Sequence, residues 1–90
     1  MIACKIIVKG RVQGVGYRWF AVRQAEHLQL QGSVKNLPNG HVQVIVQGES
    51  NAVNDYIALL REGPAFAQVR DLEIQDIDVD HNLKNFTVDY

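Results

Sequence analysis

Several residue types are scarce in this 90-residue chain, and each scarcity removes a class of protein. The longest apolar runs, such as Ile6-Ile7-Val8 and Val44-Ile45-Val46, fall far short of the ~20 residues needed to cross a bilayer, so no membrane partner is expected. The start, Met1-Ile2-Ala3-Cys4-Lys5, leads straight into strand-like alternation, without the apolar stretch and cleavage site of a secretory leader. The only cysteine, Cys4, leaves no internal disulfide, and a cytoplasmic location is the simpler expectation. Hydroxyl nucleophiles are confined to Ser33, Ser50, Thr87 and the tyrosines, and none sits in a Ser-His-acid pattern. His27, His41 and His81 are scattered over different elements and read as surface residues, so no metal or other cofactor is expected. Asp76-x-Asp78-x-Asp80 opens like a calcium loop, but His81 replaces the required glycine and Thr87 the bidentate glutamate. It reads as a solvated acidic edge.

What is present is an ordinary globular composition, 47% apolar and 21% charged, which fits one small soluble domain over 1–90. The formal charge of −1 hides a division. Residues 1–48 carry Lys5, Lys9, Arg11, Arg18, Arg23 and Lys35 against Glu26 alone, whereas residues 49–90 carry three basic residues against nine carboxylates. A nucleic-acid binder of this size is usually basic overall, so no nucleic-acid partner is expected. A small anion on the first half is compatible with the charge.

Periodicity outlines the fold. Residues 2–9 alternate, with Cys4, Ile6 and Val8 on one side, which predicts a strand. Three glycines between Gly10 and Gly16 then mark a loop. From Tyr17 the period is helical, with Tyr17, Phe20/Ala21, Ala25 and Leu28 on one stripe. Gly32 ends this helical region and opens a strand that carries Val34 and Asn36 on one face. Pro38-Asn39-Gly40 predicts a turn into a third strand over His41–Gln47, so these two strands form an antiparallel hairpin. Ser50 or Asn51 is the expected N-cap of a second helix with a Val53, Tyr56/Ile57, Leu60 stripe, stopped by Gly63-Pro64. Residues 66–79 are extended, with apolar phase slips at Val69/Leu72 and Ile74/Ile77 that bulges or an irregular edge would explain. Phe86, Val88 and Tyr90 alternate as a short last strand. The order predicts an α+β, ferredoxin-like two-layer sandwich. It reads βαββαβ, with two helices on one face of a mainly antiparallel sheet and a short C-terminal strand.

The segment richest in chemistry is Gly10-Arg11-Val12-Gln13-Gly14-Val15-Gly16-Tyr17-Arg18. It joins a strand to a helix N-terminus, where free N–H groups and a positive dipole favour an anion. Arg18 falls in the first helical turn. A cation there opposes the dipole, a local conflict that a bound anion resolves. The spacing is neither the dinucleotide-binding glycine pattern nor a P-loop.

This segment resembles the first signature of the acylphosphatase family, and Gly32-Ser33-Val34-Lys35-Asn36 with Asn39-Gly40-His41-Val42 resembles its second. The resemblance runs down to Phe86-Thr87-Val88-Asp89-Tyr90. It implies metal-independent hydrolysis of the carboxyl-phosphate bond of small acyl phosphates, giving a carboxylate and inorganic phosphate, the latter both product and inhibitor; a monomer is the default expectation for so small a chain. It also implies that Arg18 binds the phosphate and Asn36 positions the attacking water. The backbone of Gln13, Gly14, Val15, Gly16, Tyr17 and Arg18 then forms the phosphate cradle. The chain departs from the family's usual pattern in three ways. Ser33 replaces a frequent aromatic, which is expected to thin the packing beside Asn36. Tyr17 stands where phenylalanine is frequent, and His41 and Gln43 stand where other polar residues are usual.

Two readings from other classes compete. An RNA-binding sandwich needs aromatics on its central strands, and Ile7, Lys9, Gln43 and Ile45 provide none. A non-catalytic module that holds a small anion would share the Arg18 loop, and turnover separates it from an enzyme.

Overall fold

Strand alternation decides which face of the sheet is buried. In the computed structural model, which describes residues 1–90, Cys4, Ile6 and Val8 of β1 (Ile2–Arg11) lie opposite Val46, Val44 and Val42 of β3 (Val42–Gly48). Val34 of β2 (Gln31–Asn36) lies opposite Val44 on the same face. All of these side chains are buried. Helix α1 (Tyr17–His27) covers this face with Tyr17, Ala21 and Ala25, and α2 (Ser50–Glu62) with Val53, Tyr56 and Leu60. These residues recur every three or four positions, as a buried helical stripe requires. With β4 (Gln68–Ile77) and β5 (Phe86–Val88), the strand order is β4-β1-β3-β2-β5. Neighbours are antiparallel except β5, which runs parallel to β2. This is the expected sandwich with its short terminal strand.

Several local expectations need correction. Helix α1 ends before Gly32. Gln29 takes a left-handed φ of 58°, and Leu30 N–H donates to the Ala25 carbonyl at 2.8 Å. This is a glycine-type C-terminal motif built on glutamine, and buried Leu30 seals it. The cap of α2 is Glu49, not Ser50 or Asn51, and its carboxylate accepts from the N–H groups of Asn51 and Ala52. A negative charge also suits the helix dipole at that end. Strand β4 has one register shift, opposite Lys9/Gly10, where Arg70 is the extra residue. The second apolar slip is no bulge: pairing is continuous from Leu72 to Ile77, and Ile77 lies beside Ala3 on the face away from the helices. Tyr90 lies beyond β5.

Gln47 also departs from expectation. Alternation places it on the polar side, yet it is buried. Its amide donates to the Asp80 carbonyl at 2.8 Å and to Gln31 Oε1 at 3.2 Å, and its oxygen accepts the Asp80 N–H at 2.8 Å. It thereby anchors the segment that crosses from β4 to β5.

The helices are tied by two reciprocal hydrogen bonds. Tyr17 Oη donates to the Leu60 carbonyl at 2.6 Å, and Tyr56 Oη donates to the Ala21 carbonyl at 2.8 Å. The first bond has a local cause. The residue four positions after Leu60 is Pro64, which has no N–H to offer that carbonyl.

Candidate active site

The loop from β1 to α1 alternates anchors and turns. Val12 is buried and Val15 packs on the core, so the apolar positions hold the loop down. Between and after them Gly14 and Gly16 adopt φ values of 74° and 80°. Space is open around both, so it is the left-handed backbone rather than crowding that calls for glycine. Gly16 is the cap position of α1 and has no side chain to satisfy the first N–H groups, and no acid stands in the first turn. The first N–H groups therefore have neither an intrahelical carbonyl nor a side-chain cap, at the positive end of the dipole.

Arg18 follows in that first turn and is half-buried. Its guanidinium lies over the Tyr90 ring, with Cζ 5.3 Å from the centroid. No carboxylate pairs with it, because the one salt bridge in the chain joins Lys9 to Glu73. Stacking on a ring uses the face of the guanidinium and leaves its in-plane donors free.

Asn36 ends β2 on the face of Val34, toward α1. Its Oδ1 is buried and has no hydrogen-bond partner. Such an atom costs about 1–3 kcal/mol, and a native structure keeps one for a reason. Asn36, Arg18, Gly14 and Gly16 line a common cleft of about 320 Å³, together with Val12, Tyr17, Trp19, Val22, Val88 and Tyr90.

The remaining expected residues divide. Gln13 and Val15 do not line the cleft. The Gln13 amide instead donates to the carbonyls of Leu37 at 2.8 Å and His41 at 2.7 Å, which ties the loop to the β2–β3 turn just beyond Asn36. The Tyr17 side chain enters the core, where burial pushes its phenol well above the ordinary range. Only its backbone is available to an anion. Ser33 cannot thin the packing beside Asn36, because it sits three positions earlier on the opposite face of β2, across from Ile45. The resemblance pointed to neither Trp19, Val22 nor Tyr90. The i, i+4 spacing of Arg18 and Val22 and the alternation of Phe86, Val88 and Tyr90 were the available signals. Burial, and then the nearby charge of Asp76, push the Cys4 thiol up, so it is no nucleophile. No three His, Cys, Asp or Glu side chains converge. The cleft's donors are N–H groups and a guanidinium, a set suited to an anion rather than a metal ion.

A two-layer α+β sandwich whose first loop, helix N-terminus and Asn36 line one cleft has the donors to take a small anion. Comparison with known proteins narrows this class. The family model described as Acylphosphatase matches residues 4–88. The chain is 40% identical over 90 residues to the acylphosphatase of Archaeoglobus fulgidus, covering 100% of both. It is 47% identical over 81 residues to that of Bordetella parapertussis, covering 90% of this chain and 86% of the relative. The crystal structure of acylphosphatase from Bacillus subtilis superposes with a TM-score of 0.96 at 33% identity, over 100% of both chains. The chain belongs to the acylphosphatase family, and it is a hydrolase.

Proposed function

We propose that the N–H groups of the 13–18 loop and the Arg18 guanidinium hold the phosphoryl group of an acyl phosphate, and that Asn36 positions the water that attacks it. The observation that carries this reading is the buried, unpartnered Oδ1 of Asn36, a residue that lines the same cleft as Arg18. An amide oxygen can accept a hydrogen bond from water but cannot serve as a strong base. It therefore orients the water without deprotonating it.

The chemistry needs little more. The water oxygen forms a bond to phosphorus as the bond from phosphorus to the acyl oxygen breaks. The electron pair leaves with the carboxylate, a group stable enough to depart without a protein acid. The released proton goes to a phosphate oxygen. Charge spread over the phosphoryl oxygens is met by fixed N–H dipoles and Arg18, the electrostatic positioning on which phosphoryl transfer depends. Gln13 supports the geometry from outside the cleft, because its amide ties the phosphate loop to the turn that follows Asn36. One apolar core draws residues from both helices and from every strand, from Cys4 to Phe86, which supports a single domain. A monomer working in the cytoplasm fits this picture.

Loss of benzoyl phosphate absorbance, followed with a metal chelator present, tests the proposal. Steady hydrolysis with release of inorganic phosphate is expected. Folded protein that binds phosphate but turns over no substrate would show a binding module instead.

A further inference from the structure

We infer, resting on the phosphoryl-transfer reading above, that the cleft continues into a subsite for a flat, apolar acyl group, and that Tyr90 sets this preference. A water occupies about 30 Å³, so the cleft of about 320 Å³ holds far more than a phosphoryl group and one water. The extra space has a distinct lining. Val22 lies one helical turn beyond Arg18, and Val88 and Tyr90 face it from β5 and the residues after it. No Asp or Glu side chain lines the cleft. Apart from Arg18 and Asn36, its free polar side-chain atoms are the Tyr90 hydroxyl and the Trp19 indole N–H, since the Tyr17 hydroxyl is already bonded to Leu60. A polar acyl group finds few partners there, whereas an apolar one finds valine and ring surface.

Tyr90 and Trp19 each have an arginine beside the ring. Arg18 stacks on Tyr90, and the Arg23 guanidinium lies 4.6 Å from the centroid of the Trp19 ring. Tyr90 is otherwise fully exposed and Trp19 is 64% exposed. Neither ring contributes to the core, and a flat acyl group seated against Tyr90 gives the ring an apolar partner. An acyl phosphate then lies with its phosphoryl group at the N-terminus of α1 and its acyl group along the helix toward Val22. Tyr90 is thus a specificity-determining residue for the acyl group.

The test compares kcat/KM for benzoyl phosphate and acetyl phosphate in the wild type, Tyr90→Phe and Tyr90→Ala. The two substrates share the phosphoryl group, so any disturbance of Arg18 cancels in their ratio. Tyr90→Ala should lower the benzoyl-to-acetyl ratio about fivefold, the scale of a lost aromatic contact, chiefly through KM for benzoyl phosphate. Tyr90→Phe should keep the wild-type ratio, because the ring remains. An unchanged ratio in Tyr90→Ala overturns the subsite, as does a loss in Tyr90→Phe equal to that in Tyr90→Ala. Either result, alongside normal wild-type turnover, leaves the phosphoryl-transfer reading standing. Failure of the wild type to hydrolyse either substrate sinks both.

Discussion

Two sides of the N-terminal half of α1 treat polar groups in opposite ways. In the seam between α1 and α2, the buried tyrosine hydroxyls are satisfied: Tyr17 donates to Leu60 and Tyr56 to Ala21. In the cleft between the 13–18 loop and the end of β2, Asn36 Oδ1 is buried and unpaired, Gly16 leaves the helix cap open, and Arg18 has no acid beside it. Buried polar groups left unpaired cost stability, and paired ones recover it. The seam is therefore organised for stability, and the cleft keeps its hydrogen-bonding capacity for a ligand.

Substitutions in the two regions should separate activity from stability. Arg18→Ala is expected to have the largest effect. Two charge-assisted bonds to phosphate correspond to about 3–6 kcal/mol, so kcat/KM should fall on the order of 10³-fold, with phosphate inhibition lost in parallel. Unchanged phosphate affinity by calorimetry would remove Arg18 from the cradle. Asn36→Ala should lower kcat by about 10²–10³-fold while phosphate affinity holds. Its melting temperature should stay level or rise, because an unsatisfied buried oxygen has gone. A clear drop in thermal stability would show that Asn36 belongs to the scaffold instead.

The seam should respond in the reverse sense. Tyr17→Phe leaves the Leu60 carbonyl without a partner, since Pro64 cannot donate. It should cost about 1–3 kcal/mol and lower the melting temperature with kcat little changed. Tyr56→Phe should cost less, about 1 kcal/mol, because the Ala21 carbonyl keeps its helical position opposite the Ala25 N–H. Equal losses in the two variants, measured by denaturant titration, would contradict the role given to Pro64.

The smallest effect is confined to alkaline solution. Burial raises both phenols, and the charge of Tyr17 raises Tyr56 further. A phenol with a raised pKa holds its proton more tightly in the fold than in the unfolded chain. The stability linked to these two groups is therefore complete below about pH 10, the ordinary phenol value, and declines as the pH rises above it. Tyrosinate absorbance from Tyr17 and Tyr56 should appear together with unfolding. Their ionisation in a protein that keeps its folded circular dichroism would refute the buried seam.

Much of this organisation was legible along the chain. Alternation in β1 and β3, the 3.6-residue stripes of Tyr17, Ala21 and Ala25 and of Val53, Tyr56 and Leu60, and the Pro38-Asn39-Gly40 turn are local patterns with a direct physical meaning. They suffice for the order of elements and for the layer that each one covers. Arg18 and Asn36 stood out through the two signatures, and the structure lines one cleft with both. Local signals misled where a residue did another's usual work. Gln29 took the left-handed position that glycine normally holds, and Glu49 capped a helix in place of the adjacent serine.

The sequence by itself determined what each element could bury, because side-chain periodicity and backbone preference act over neighbouring residues. Only the tertiary structure decided which polar atoms would be left free. Whether Gln47 is exposed or clasps Asp80, whether Tyr17 faces ligand or helix, and whether Tyr90 stacks on Arg18 depend on partners distant in the chain. Hydrogen-bond satisfaction is a property of the packed whole. For that reason the unpaired oxygen of Asn36, and the aromatic wall beside Arg18, became visible only in three dimensions.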